Sequence, residues 1–228
     1  KFGKRGTIWT TFLLIIIIAG FVAYIDQLRK GLEVTNLRDY ALWGIYISNF
    51  VFFVATSFVG SVTVAILRLT NNTWRTPLVR IAEIISLACI IMAGLTIIID
   101  MGRPDRMLNL FIHARLQSPI TWDVIIVPTY VALSFLLLYF PLLPDLAILK
   151  KYFEKSKPKL SKWYGILSLN WTGSVAQKAI QSKSIKIIAI MIIPVGILLQ
   201  TIDAWLFSTT YRVGWDSTNM GAYFISGA

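Results

Sequence analysis

Polar and apolar positions in this chain fall into long blocks. Five blocks stay apolar for about 20 residues or more, the length a helix needs to cross roughly 30 Å of hydrocarbon. The first runs from Gly6 to Ile25 without a charge and contains Ile15-Ile16-Ile17-Ile18. The second extends from Tyr40 to Leu67 and the third from Ile81 to Ile99, with Glu83 as its one charge. The fourth covers Val124 to Leu143, and the fifth Ile187 to Phe207, interrupted by Pro194, Gly196 and Asp203. That interruption predicts a kink turning Gln200 and Asp203 towards a bundle interior. None of the blocks has the period-two alternation of a membrane barrel. The pattern predicts an all-α, polytopic transmembrane helical bundle, a single integral membrane domain over residues 1–228 with five spans. The chain starts at Lys1 and stops within the apolar run Met220 to Ala228, so a C-terminally truncated protein with a further span is expected.

Composition narrows the chemistry. Hydrophobic residues make up 56 % and charged residues 14 %, against about a quarter charged in a soluble domain. Cys89 is the one cysteine and His113 the one histidine. An internal disulfide, a cysteine-ligated iron–sulfur cluster and a bis-histidine haem are therefore excluded. Any haem or iron–sulfur cluster is expected on another subunit. Cys89 reads as a small packing residue and His113, beside Arg115, as a surface residue.

The net charge of +11 is concentrated in alternate loops. Lys1, Lys4 and Arg5 open the chain, Arg68, Arg75 and Arg80 separate the second and third spans, and lysines from Lys150 to Lys186 separate the fourth and fifth. The stretches Asp26–Asp39 and Asp100–Asp123 each balance three basic residues with three acidic ones. Loop charge of this kind predicts a cytoplasmic N-terminus, and the membrane is expected to be a prokaryotic cytoplasmic membrane. It accounts for much of the charge with lipid as the neighbour and no nucleic acid, since stacking aromatics hardly interleave with the lysines. The sequons Asn71-Asn72-Thr73 and Asn170-Trp171-Thr172 fall in the expected cytoplasmic loops and read as chance.

Ionisable groups in or bordering hydrocarbon are costly and are the first functional candidates. Asp100 ends the third span, Asp123 opens the fourth, and Asp203 lies near the end of the fifth, one turn beyond Gln200. All three are expected near the extracytoplasmic face, with Arg103 and Arg106 at hand to hold or neutralise them. A quinone site asks for such groups. Its carbonyls need donors, its hydroxyl protons need acceptors, and carboxyls in a partly dry pocket exchange those protons. Trp122, Tyr130 and Phe111 are candidate walls for the ring and tail. Plainer readings stand beside this: Asp100 with Arg103 as an interfacial ion pair, and Asp123 as a carboxylate favoured by a helix N-terminus. Glu83 is expected to pair with Arg80, with a proton-entry role as the sharper alternative. Ser48, Asn49, Thr56, Ser57, Gly60 and Ser61 of the second span suit close helix packing, or a polar proton path through Asn49 and Thr56.

Several phrases carry a family resemblance. They are Trp43-Gly44-Ile45-Tyr46-Ile47-Ser48-Asn49-Phe50, Trp74-Arg75-Thr76-Pro77, Arg80-Ile81-Ala82-Glu83 and Gly102-Arg103-Pro104. Further along come Ser118-Pro119-Ile120-Thr121-Trp122-Asp123, Leu143-Pro144-Asp145 and Gly214-Trp215-Asp216. In this order they resemble the NrfD/PsrC family of quinone-interacting membrane subunits, and most the NrfD-like subunits of alternative complex III. The resemblance implies eight to ten spans in a full protein. It implies a quinone, menaquinone by preference, and no cofactor held by this chain itself. An iron–sulfur subunit would dock on the extracytoplasmic face, beside other membrane subunits and cytochrome c-type subunits. Residues 40–211 would form the quinone-binding four-helix bundle, with Asp123 as the Ser-Pro-x-x-Trp-Asp carboxylate. Where some relatives place histidine before Gly-Arg-Pro, this chain has Asp100-Met101.

The resulting expectation is a membrane anchor of a respiratory oxidoreductase, not catalytic alone. It would bind quinone or quinol and exchange electrons with the iron–sulfur subunit, with coupling to proton translocation left open. Asp123, Asp100 and Asp203 would exchange protons, Arg103 would orient them, and Gln200 would form a second polar layer. The rivals are a secondary transporter, which would show broken helices and an inverted repeat, and a purely structural anchor.

Overall fold

A computed structural model of the chain describes residues 3–35, 37, 44–70 and 76–209, with side chains of 76 and 77 set aside. The opening of the second span at 40–43, the Trp74-Arg75 phrase, the Asn71-Asn72-Thr73 sequon and Gly214-Trp215-Asp216 lie outside the described residues, as do both limits of the expected 40–211 bundle. The described residues form seven α-helices with short 3₁₀ turns and no strand. These are α1 (Lys4–Lys30), α2 (Ile45–Leu69), α3 (Thr76–Asp100), α4 (Met107–Ile112), α5 (Pro119–Phe153), α6 (Pro158–Leu167) and α7 (Val175–Ser208). Helices α1, α2, α3, α5 and α7 are long and apolar enough to cross a membrane, matching the five expected spans. Their outward faces are rich in exposed Ile, Leu, Phe and Val. In water that surface would be an aggregation hazard; in a bilayer, lipid covers it.

The helices overrun the apolar blocks. Helix α5 has 35 residues and α7 has 34, roughly 50 Å each at 1.5 Å per residue. Helix α7 starts twelve residues before the expected Ile187 because Ser174 caps it. The Ser174 hydroxyl accepts from the Gln177 amide at 3.3 Å, and Gln177 Oε1 accepts from the Thr172 and Gly173 amides at 3.0 and 3.1 Å. This Ser-x-x-Gln signal was present in the sequence but lay outside the apolar block. Helix α7 continues through Pro194 and Gly196 without a break in its helical run. In α5, Pro144 leaves the Phe140 carbonyl without its usual N–H partner, and Gln181 of α7 donates to it at 2.7 Å.

Contacts group the chain into two compact units, Lys1–Phe52 with Ala93–His113, and Phe53–Met92 with Ala114–Ala228. In the second unit α5 and α7 run antiparallel and share the largest interface. Small residues set the approach of the helices. A Cβ on Gly60 would stand 3.1 Å from Ser86 Cβ and 3.2 Å from the Ala82 carbonyl oxygen, so α2 crosses α3 at close range. A Cβ on Gly196 would meet the Phe58 ring at 2.6 Å and the Tyr130 ring at 3.2 Å. Gly196→Ala is therefore expected to cost about 1–3 kcal/mol by overpacking, read as a lower Tm of the purified complex. Adding Phe58→Leu should recover most of the loss.

Candidate functional site

Polar residues of the second unit line up along its interior. On α5 Asp123, Tyr130 and Ser134 are seven and four residues apart, and on α7 Gly196, Gln200 and Asp203 are four and three apart. Those spacings put each set on one face of its helix. Antiparallel packing then brings the start of α5 to the end of α7. There the carboxyls of Asp123 and Asp203 meet at hydrogen-bonding range. Asp203 is 0 % exposed, and Asp123 is half-buried with Oδ1 sealed from solvent. Neither Asp203 oxygen, nor Asp123 Oδ1, faces a donor. The contact is thus oxygen to oxygen, and it becomes a hydrogen bond when one carboxyl carries a proton. Among the described residues no ion pair reaches either group.

One turn from Asp203, Gln200 is 1 % exposed with both side-chain polar atoms unpartnered. Such groups each cost about 1–3 kcal/mol, a sign that the region is shaped for something other than stability. Deeper along the same faces, Tyr130 is fully buried. Its hydroxyl donates to the Ser57 carbonyl at 3.2 Å and meets Ser61 Oγ. Ser57 and Ser86 each donate to the other's backbone carbonyl at 2.8 Å, tying α2 to α3. Three residues before Ser86 lies Glu83, 2 % exposed and paired with Arg68. Here the sequence expectation is corrected. Arg80 does not take Glu83 as its ion-pair partner; it donates to the Pro141 carbonyl and to Asp145 Oδ2, each at 2.9 Å. The α2–α3 crossing at Gly60 carries Arg68 to Glu83, while α5 draws Arg80 away.

The remaining candidates are described within their own units. Trp122 is exposed and its indole donates to the Leu116 carbonyl at 2.8 Å. Thr56 is half-buried on α2. Asp100, Arg103, Phe111 and Asn49 belong to the first unit. Asp100 is half-buried with one unpartnered oxygen, whereas Arg103, Phe111 and Asn49 are exposed. No ion pair joins Asp100 to Arg103 or Asp105 to Arg106 among the described residues.

The first unit adds a feature the sequence reading missed. A cavity of about 690 Å³ is lined by Tyr24, Asp26, Gln27, Thr35, Tyr46 and Ile99, among others. Gln27 is 3 % exposed, donates to the Ile99 carbonyl at 2.8 Å and accepts from the Tyr46 hydroxyl at 3.0 Å. The available signal was the cluster Tyr24, Asp26 and Gln27 closing an otherwise featureless apolar run.

Residues 33–228 match the polysulphide reductase NrfD family. The chain belongs to the NrfD family. Over all of its length this NrfD-family chain is 30 % identical to a Halobacterium salinarum protein named as a membrane subunit of dimethyl sulfoxide reductase, covering 49 % of it. It is 24 % identical to a selenate reductase subunit of Mesobacillus selenatarsenatis over 118 residues, which are 51 % of this chain and 28 % of that protein. The chain thus spans about half the length of the first relative. Family and five apolar helices together make it an integral membrane protein.

Proposed function

We propose that this NrfD-family chain is the quinone-binding part of a membrane anchor in a multi-subunit oxidoreductase. It takes electrons from quinol, or returns them to quinone, in exchange with an iron–sulfur subunit docked at the extracytoplasmic face. The Asp123–Asp203 pair carries this reading. Two carboxyls that meet without a cation are built to hold a proton between them and to pass it on. Gln200, with a free amide donor and acceptor one turn away, suits a carbonyl or hydroxyl of the ring. A bound quinone would supply the two-electron, two-proton chemistry; the chain supplies the proton acceptors, a donor and an apolar surround.

In this reading the N-terminus and basic loops face the cytoplasm, the pair lies towards the opposite side, and menaquinone is the carrier. The file Tyr130, Ser57, Ser61 and Ser86 towards Glu83 is the route by which proton transfer would extend inward. The names of the two relatives favour a reductase of the dimethyl sulfoxide or selenate kind over the alternative complex III likeness. Helical runs unbroken through Pro194 and Gly196 speak against the transporter rival. The test is saturable binding of a quinol analogue to the purified complex, competed by a quinone-site inhibitor and weakened by Asp203→Asn.

The cavity beside Gln27 favours a second placing of the ring. Its volume suits a small ligand, and at its wall the Tyr46 hydroxyl oxygen can accept from a quinol hydroxyl while the second Gln27 N–H can donate. If the ring sits there, Tyr46→Phe should raise KM for quinol about fivefold, the worth of one hydrogen bond, with kcat kept. An unchanged KM removes that placing and leaves the Asp123–Asp203 reading intact.

A further inference from the structure

The end of α5 opposite Asp123 carries a second amphiphilic cavity. It is an open cleft of about 550 Å³. Pro144, Ala147 and Ile148 line its apolar part, and Lys150, Lys151 and Asn170 its polar part. Along α5 the lining therefore passes from apolar to cationic within two turns, as a lipid passes from glycerol ester to phosphate. Glu154 also borders the cavity, so its two lysines leave one net positive charge, with Lys155 next in sequence.

The lysine at the centre is held in place. Lys150 lies along α6, where a Cβ on Gly165 would stand 3.3 Å from its Cε, and its Nζ donates to Asn170 Oδ1 at 3.3 Å. Asn170 reaches that position through left-handed backbone at Leu169 and Asn170, with φ of 49° and 51°. Two consecutive non-glycine residues in that region carry a conformational cost, which this loop bears while closing the cavity.

Helix α6 says which solvent surrounds the cavity. Ser161, Gly165 and Ser168 are buried on one side of it, and Ser161 donates to the Lys150 carbonyl at 3.1 Å. The opposite side leaves Trp163 and Ile166 about two-thirds exposed, with Lys159 and Lys162 beside them. A water-facing loop gains nothing from such a face. A helix lying in the headgroup layer does, with aromatic and aliphatic side chains in the acyl boundary and lysines among the phosphates.

We infer that this end of the chain is a binding site for an anionic phospholipid, with the headgroup phosphate held by Lys150, Lys151 and Asn170 and the glycerol and first acyl carbons against Pro144, Ala147 and Ile148. Helix α6 lies beside it in the same leaflet. Lipid, and not free phosphate, is the ligand because half of the cavity wall is apolar and the neighbouring helix face needs an acyl boundary.

The test uses the complex containing the full-length chain, stripped of lipid in detergent and then offered mixed micelles of phosphatidylglycerol or phosphatidylcholine, or inorganic phosphate alone. Phosphatidylglycerol should raise its Tm and be retained on washing, while the other two leave Tm unchanged. Lys150→Gln with Lys151→Gln should reduce retained phosphatidylglycerol about 25-fold, since each charge near a lipid surface is worth about fivefold. If the double variant does not assemble, Lys151→Gln alone, at an exposed position, should lose about fivefold. Equal shifts from the two lipids, a full shift from phosphate alone, or unchanged retention in the variant overturns the inference. So does absence of any lipid effect in the assembled complex, the result expected if a partner protein covers α6.

Discussion

Asp203→Asn is expected to lower quinol turnover by the assembled complex about 100-fold or more, the contribution of a positioned proton-transfer group. Asparagine keeps the shape of the side chain and its place at the end of α7, but it cannot accept a proton. Asp123→Asn should do the same, because in the proposed reading the two carboxyls that meet here hold one proton between them. The double variant should be little worse than either single variant, as expected of groups that act as a unit. Turnover is compared at equal amounts of assembled complex, with Tm as the control for folding. Full turnover in both single variants would remove the pair from the reaction. Losses that multiply would separate the two residues into independent roles.

Arg68→Leu is expected to destabilise the protein by about 3–5 kcal/mol, because it leaves the Glu83 carboxylate buried without its partner. Glu83 is 2 % exposed and its Oε2 already lacks a donor. Removing both charges, as Arg68→Leu with Glu83→Leu, should return most of the stability, since an apolar pair of similar volume needs no desolvation. Thermal unfolding of the complex, or its yield from membranes, reads both effects. If the single variant is as stable as the double one, Arg80, the next cation on α3, has taken over Glu83.

Much of the architecture was legible in hydropathy. The thickness of hydrocarbon sets a minimum apolar length, so five runs of sufficient length named five spans. Their ends were less legible. The structure extends α7 back to Val175 and α5 on to Phe153, because capping and backbone hydrogen bonding continue where apolarity stops. The site was half legible. Asp123, Asp203 and Gln200 stood out as polar groups in apolar surroundings, and the structure brings them together. Asp100 and Arg103, the other charged candidates, belong to the first unit. Ser134, Ser86, Gln27 and Tyr46 gave weaker signals, since serine and tyrosine in a membrane helix are as often packing groups as functional ones.

From sequence alone follow the all-α membrane class, the exclusion of a bis-histidine haem and of a cysteine-ligated iron–sulfur cluster within these residues, and the motif order of the NrfD family. Those depend on composition, length and local order, which the amino acids state directly. Tertiary structure alone decided which carboxyls meet, that Glu83 takes Arg68, and that Gln27 walls a cavity. The reason is physical. In lipid the outward face of a helix is as apolar as its inward face, so hydropathy does not say how a helix is rotated. Rotation and register come from close contacts such as Gly60 on Ser86 and Gly196 under Tyr130. Those contacts join residues far apart in sequence, Gly196 with both Tyr130 and Phe58, and they exist once the helices have packed.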